Sequence, residues 1–420
     1  MALVIFFICY LLFVLFNQWR SFIAVCGACA LVLLQIVTLE TAVTELVYWN
    51  VIGLFFGTLI LAELFMQSRM PAVIAEWFVD QTSSARGALI TICLLSSLLS
   101  AFVENVAVVL IVAPIALTLC QKLHISPVKP LIFLAMFSNV QGTATLIGDP
   151  PSMILGGYMK MTFNDFFFYH GRPSIFFIIQ IGALAATVLV FYLLKEFKQK
   201  TKLIRIEKTL SYVPSGLLIV FVCILATASY IDPDFKWFAG TVAMLLAIIG
   251  LIWYTFGPHW TPLTTLIREL DWDTTFFLTG LFVVVGALEK TGWITSLAEW
   301  MSPILEQNLL AAFILVIGFS VLFSAFIDNV PYLLTMIPVI QGASSGSEST
   351  LVLLIFALLI GACLGGNITP IGASANIVAV GILKKEGHEI SFGHYVKYGL
   401  AFTAVAVFAS SAALWFLFSQ

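Results

Sequence analysis

Two acid–amide pairs stand inside apolar tracts of this 420-residue chain: Glu104-Asn105 in "SAFVENVAVVLIVAP" (100–114) and Asp328-Asn329 in "SAFIDNVPYLLTMIP" (324–338). Each is followed by a second polar interruption, "GTATLIGDPPS" (142–152) with Asp149, and "GNITPIGASAN" (366–376). A carboxylate within hydrocarbon costs about 3 kcal/mol and marks a functional position. Glu104, Asp149 and Asp328 are therefore the candidate proton carriers. Glycine and proline in the interruptions release backbone carbonyls and amides, which survive at membrane depth only when buried in protein or lining a wet cavity. Carboxylates with free carbonyls suit protons or Na⁺, and half-helix N-termini suit anions. Taken singly, Pro114, Pro338, Ser100, Ser324 and Pro150-Pro151 read as kinks, back-bonding hydroxyls and a plain break.

The elements that position these groups follow from composition. The chain is 61% hydrophobic and 10% charged, with mean hydropathy +1.07, which indicates an all-α polytopic membrane protein. The apolar start, Ala2 to Phe16, lacks a basic flank and a cleavage site, so a retained first span is expected. The seven cysteines lie in apolar tracts, and Cys26 and Cys29 read as small helix-packing residues. The five histidines lie between spans or at their ends, so no histidine relay is expected. With a net charge of −3 and no phosphate-binding glycine motif, neither nucleic acid nor ATP is expected as a partner, and no cofactor beyond a coupling ion, H⁺ or Na⁺.

About 20 apolar residues cross a bilayer, which places about 10 spans near 1–16, 21–38, 46–66, 128–159, 173–194, 212–230, 236–256, 274–289, 350–383 and 397–418. The tracts 87–121 and 309–341 each fit two helices of about 15 residues, or about 22 Å at 1.5 Å per residue. That is short of about 30 Å of hydrocarbon, so both read as re-entrant hairpins with the acid–amide pairs at their tips. Of the 19 basic residues, 15 then share one side, including Arg20 and the six from Lys195 to Lys208. That side is expected to be cytoplasmic in a multi-pass protein of the cell (inner) membrane, with both termini outside. The basic loop reads as topology and linker rather than lipid recognition.

The landmarks repeat. The hairpin tips and the interruptions match at an offset of 224, while Gly57 with Gly280 and Ala75-Glu76-Trp77 with Ala298-Glu299-Trp300 match at 223. The expected organisation is N-terminal spans (1–45), a first repeat (46–194, hairpin 87–121, broken helix 128–159), a basic loop and linking spans (195–273), and a second repeat (274–420, hairpin 309–341, broken helix 350–383). Opposite span directions make the two repeats inverted.

With "SAFVENV", "GTATLIGDPPS", "SAFIDNVP" and "GACLGGNITPIGASANIVAVGI" in order, the chain resembles the ion transporter superfamily, in the branch of the P protein, the arsenite permeases and the D-type sodium/proton antiporters. It is most similar to P-protein-type permeases over nearly its whole length. The resemblance implies a scaffold, a mobile transport domain built of hairpins and broken helices, an elevator mechanism and a homodimer. Carried over by position, Glu104, Asn105, Gly142, Thr143 and Thr145 form one half-site, and Asp328, Asn329, Gly366, Asn367 and Thr369 the other. Asp149, Ser152, Ser374 and Asn376 sit beside them. Dicarboxylate members carry a Ser-Asn-Thr triplet at each tip, where this chain has Glu-Asn and Asp-Asn. Two acidic tips repel a dianion unless Na⁺ neutralises them. Gln141 and Pro370 also depart from the P-protein pattern, and Pro370 is similar to the arsenite permeases.

These readings describe a secondary active transporter, not an enzyme: a proton-coupled antiporter exporting a small inorganic solute, arsenite/antimonite or Na⁺, with no tightly bound metal. Cys363 is near enough in sequence to meet arsenic, but reads as a packing residue. The alternatives are a Na⁺-driven transporter of a dicarboxylate or inorganic anion, and an anion channel of P-protein type.

Overall fold

The computed structural model describes residues 1–197, 199, 208–257, 260–344 and 348–419. Lys198, Lys200, Lys202 and Arg205 of the basic cluster, and His259, lie outside the described residues. Among the described residues the chain is built from helices, with one two-stranded ribbon that pairs Phe168 with Pro173 and Tyr169 with Arg172. The longer helices, in chain order, are α1 (Ala2–Leu15), α2 (Arg20–Leu33), α3 (Trp49–Gln67), α4 (Met70–Asp80), α5 (Ala85–Ser100) and α6 (Asn105–Leu123). They continue with α7 (Val128–Gly142), α8 (Pro150–Met159), α9 (Ile175–Leu193), α10 (Val213–Leu225), α11 (Phe238–Phe256) and α12 (Trp272–Lys290). The last six are α13 (Trp293–Gln307), α14 (Leu309–Ser324), α15 (Asn329–Ala343), α16 (Glu348–Gly365), α17 (Ser374–Lys385) and α18 (Phe392–Phe418).

Among the described residues, eight helical segments are long and apolar enough to cross a membrane. The helices fall near the apolar tracts, with two corrections: α1 and α2, expected as spans, run only 14 residues each, about 21 Å, and the two hairpins differ in their arms. At 309–341 both arms are short, 16 and 15 residues. In the other hairpin α6 runs 19 residues through Pro114 to Leu123, or about 28 Å, enough to span. It stops at His124, which takes the left-handed conformation (φ 52°). The helices α4 and α13 escaped the hydropathy reading because they are short and carry Asp, Glu and Gln. Cys26 and Cys29 are exposed rather than packed between helices of the chain.

Caps show the repeat at atomic level. Ser84 accepts the Gly87 amide (3.2 Å) at the start of α5, and its counterpart Asn308 accepts the Ala311 amide (3.0 Å) at the start of α14. Such a bond satisfies an N–H that the first turn leaves without a partner.

Packing then pairs the first helix of each repeat with a helix outside both repeats. The first repeat's α3 lies along α11, and the second repeat's α12 lies along α2. The matched glycines make both crossings: a Cβ on Gly57 would stand 2.5 Å from the Ala243 carbonyl carbon, and one on Gly280 would stand 2.6 Å from that of Ala24. Small residues permit this approach where lipid offers no hydrophobic drive between helices. The broken segments cross between the repeats, α8 against α15 and α17 against α6.

Candidate functional site

Each hairpin tip is an N-cap. Glu104 accepts the Ala107 amide (3.1 Å) at the start of α6, and Asp328 accepts the Val330 amide (3.0 Å) at the start of α15. The broken segments add two more helix starts, with Asp149 preceding α8 and Ala373 at the matching place before α17. Four helix N-termini, three of them carrying carboxylates, therefore converge on one narrow cleft that opens in part to solvent. Its walls include Glu104, Asn105, Asn139, Asp149, Asp271, Thr274, Asp328, Asn329, Gly372, Ala373, Ser374 and Arg20.

The breaks are held open by matched contacts. Thr145 donates to the carbonyl of Ala101 and Thr369 to that of Ala325, so each broken segment is tied to the end of its own hairpin's first arm. Ser152 donates to the Thr143 carbonyl (3.3 Å), while Asn376 donates to those of Gly366 (3.0 Å) and Thr369 (3.2 Å). These side chains satisfy carbonyls released from the helical ladder, as membrane burial requires. Gly142 and Gly366 are needed for space: a Cβ on Gly142 would collide with the Asn105 amide, and one on Gly366 would stand 2.5 Å from the Gly372 carbonyl oxygen. Ser100 reaches Asn105 and Ser324 donates to the Ala362 carbonyl, so both hydroxyls brace the tips.

Of the expected residues, Glu104, Asn105, Asp149, Asp328, Asn329 and Ser374 line the cleft. Gly142, Thr143, Thr145, Ser152, Gly366, Asn367, Thr369 and Asn376 are buried behind it. Asp149 is 7% exposed and its Oδ2 finds no hydrogen-bond partner; Thr143 Oγ1 and Asn376 Oδ1 are likewise unpaired. Among the described residues neither Glu104 nor Asp149 makes an ion pair within 4 Å. Cys363 is fully buried outside the cleft walls, and its carbonyl accepts from Asn139.

Sequence reasoning missed several parts. Arg20, counted there as a cytoplasmic-side charge, faces the cleft. Its Nη1 bonds Asp328 (2.8 Å), its Nε bonds Asp273 (2.8 Å) and its Nη2 donates to Thr274 (2.8 Å). Nothing local signals this, since Arg20 and Asp328 are 308 positions apart. Gly148 and Gly372 were within reach, being matched at the same offset inside the quoted motifs. A Cβ on Gly148 would stand 2.5 Å from the Gly142 carbonyl oxygen, and one on Gly372 would stand 2.6 Å from that of Gly366. Asn139, which donates to Asn367 across the repeats (3.1 Å), was also missed.

The model of a family described as "Citrate transporter" (CitMHS) matches residues 10–361. The chain belongs to this citrate transporter family. An uncharacterized transporter of Mycobacterium tuberculosis is similar to it at 31% identity over 99% of this chain and 97% of that relative. The human P protein is 28% identical over 92% of this chain and 56% of its own length. In fold, this CitMHS member is similar to the Alcanivorax borkumensis YdaH transporter (TM-score 0.64, 13% identity, 97% of this chain and 98% of that one). It is also similar to Neisseria gonorrhoeae MtrF, described with a class of antimetabolite efflux pumps (TM-score 0.59, 14% identity, 91% and 83%). The CitMHS chain is thus an all-α, multi-pass integral membrane protein of two inverted repeats and a secondary transporter of the ion transporter superfamily.

Proposed function

We propose that this transporter is a cation-coupled elevator: a proton-coupled antiporter that exports a small inorganic solute, arsenite/antimonite or Na⁺, and works as a homodimer in the cell membrane with both termini outside. The observation that carries the reading is the charge of the cleft. Four carboxylates, Glu104, Asp149, Asp271 and Asp328, face one cation, Arg20, which is itself held by Asp328 and Asp273. Like charges repel, by about 4 kcal/mol for a pair 4 Å apart at an effective dielectric of 20, so the cleft attracts cations and disfavours a free dianion. Loading Glu104, Asp149 or Asp328 with H⁺ removes that repulsion, and one charge moving inward contributes about 2.3 kcal/mol per 100 mV.

A second reading, Na⁺-driven uptake of an anion, is favoured by one feature. At the start of α17, Ala373 stands where α8 has Asp149, leaving a helix N-terminus without its carboxylate, a place where an anionic group is stabilised. The family's description as a citrate transporter agrees with this reading.

Purified protein in liposomes holding a pH-sensitive dye separates the two. Proton movement triggered by Na⁺ or arsenite alone supports the antiporter. Uptake of citrate or a dicarboxylate that needs external Na⁺ overturns it in favour of the second reading, and conductance indifferent to any counter-gradient identifies an anion channel.

A further inference from the structure

The Arg20 guanidinium is held on three sides by one unit of the fold. Asp273 and Thr274 lie on α12, which packs along α2, and the Phe277 ring of α12 lies 5.2 Å from the guanidinium carbon. Its remaining bond, to Asp328, crosses to a hairpin tip. The repeat supplies an internal control. Asn50 matches Asp273 at the offset of 223, and Ala239 matches Arg20 at the 219 that relates Ala24 to Ala243. There the same helix crossing is made without charge: Asn50 accepts the Gly240 amide (2.7 Å) and donates to the Phe235 carbonyl (2.8 Å). Packing therefore has no need of a cation at Arg20. One acidic tip, Asp328, is ion-paired with Arg20 at 2.8 Å; the other, Glu104, makes no ion pair within 4 Å among the described residues.

We propose that Arg20 is a tethered counter-ion that a monovalent cation, H⁺ or Na⁺, must displace from Asp328, so that ion loading frees the second hairpin tip from α2 and α12. The inference rests on the cation-coupled reading above. Displacement is feasible because a freed Arg20 keeps Asp273, Thr274 and the Phe277 face, and so is never left as an unpaired buried charge. The other groups facing this pair are Glu104 and Asp149 from the first repeat, Asp271 before α12, and Tyr10 of α1. The Tyr10 hydroxyl bonds the Pro331 carbonyl and Thr335 (2.5 Å each). The unpartnered, nine-tenths-buried Asp149 Oδ2 marks the same cleft as able to accept a cation or proton.

Two variants move the competition in opposite directions. Arg20→Gln removes the competitor, so the half-saturating cation concentration falls about tenfold, the factor set by an ion pair of about 1.4 kcal/mol. Asp273→Asn leaves Arg20 dependent on Asp328, so that concentration rises. The Na⁺ arm follows the thermal midpoint of purified protein titrated with NaCl against choline chloride, because a ligand of the folded state stabilises it by mass action. The proton arm follows the pH midpoint of dye-reported flux without Na⁺, which moves up for Arg20→Gln and down for Asp273→Asn. A merely structural Arg20 shifts both variants the same way or neither, and that result overturns the proposal. If Arg20→Gln does not fold, an unchanged or lowered half-saturation in Asp273→Asn overturns it alone. A wild type that responds to neither ion removes this inference together with the cation-coupled function, whereas a responsive wild type with unshifted variants removes the inference only.

Discussion

Asn139 and Asn367 join the two repeats side chain to side chain: Asn139 Nδ2 donates to Asn367 Oδ1 (3.1 Å) and to the Cys363 carbonyl (2.9 Å), and Asn367 Nδ2 donates back to the Met136 carbonyl (3.3 Å). The broken helices are thereby stitched beside the cleft, with both amides almost fully buried. Replacing Asn139 by Leu leaves the Cys363 carbonyl and the Asn367 oxygen without this donor. The expected loss is about 1 to 2 kcal/mol, read as a lower thermal midpoint in detergent. A midpoint unchanged in Asn139→Leu contradicts the stitch.

Gly148 and Gly372 meet backbone oxygens, which have no rotamer with which to retreat. Gly148→Ala and Gly372→Ala are each expected to cost about 1 to 3 kcal/mol by overpacking and to reduce the folded fraction on size-exclusion chromatography. The two should behave alike, because their neighbours, the carbonyls of Gly142 and Ser100 in one and of Gly366 and Ser324 in the other, are the same by symmetry. A normal folded yield for either variant disproves the close approach there.

Asp149 separates stability from function. Its unpartnered oxygen is a burial cost, so Asp149→Asn is expected to fold with an unchanged or higher thermal midpoint while dye-reported coupled flux drops to that of protein-free liposomes. Asp328→Asn is likewise expected to abolish coupled flux with intact expression. Flux like the wild type in either variant removes that carboxylate from the mechanism.

Away from the cleft, Asp232 accepts the backbone amides of Lys236 (3.0 Å), Trp237 (2.8 Å) and Phe238 (2.9 Å) at the start of α11. Burial pushes its carboxyl up, but the three N–H bonds and the Lys236 charge outweigh that and hold it below its ordinary value. Its stabilising contribution is complete above the ordinary carboxylate range and is lost as pH falls through the lowered folded-state value. Asp232→Asn should cost about 1 kcal/mol at neutral pH and flatten the acid limb of thermal stability. An acid limb identical to the wild type rules out this cap as its source.

The amino-acid sequence by itself determined the membrane class, the approximate spans, the two hairpin tips, the two broken helices and the repeat that relates them. Apolar runs, buried acids and Gly/Pro breaks act over a few residues, and the offset between repeats is visible without coordinates. It also singled out Glu104, Asp149 and Asp328 as candidates, because an acid in hydrocarbon is costly wherever the chain later folds, but not Asp271, which shares the cleft. Only the tertiary structure decided that Arg20 reaches Asp328, that Asn139 bonds Asn367, and that α2 packs along α12 and α11 along α3. Those contacts join residues more than 180 positions apart, so no local pattern encodes them. They exist because glycine faces let α2 approach α12 and α11 approach α3, and that packing brings the start of α2 into an ion pair with the second tip and not with the first.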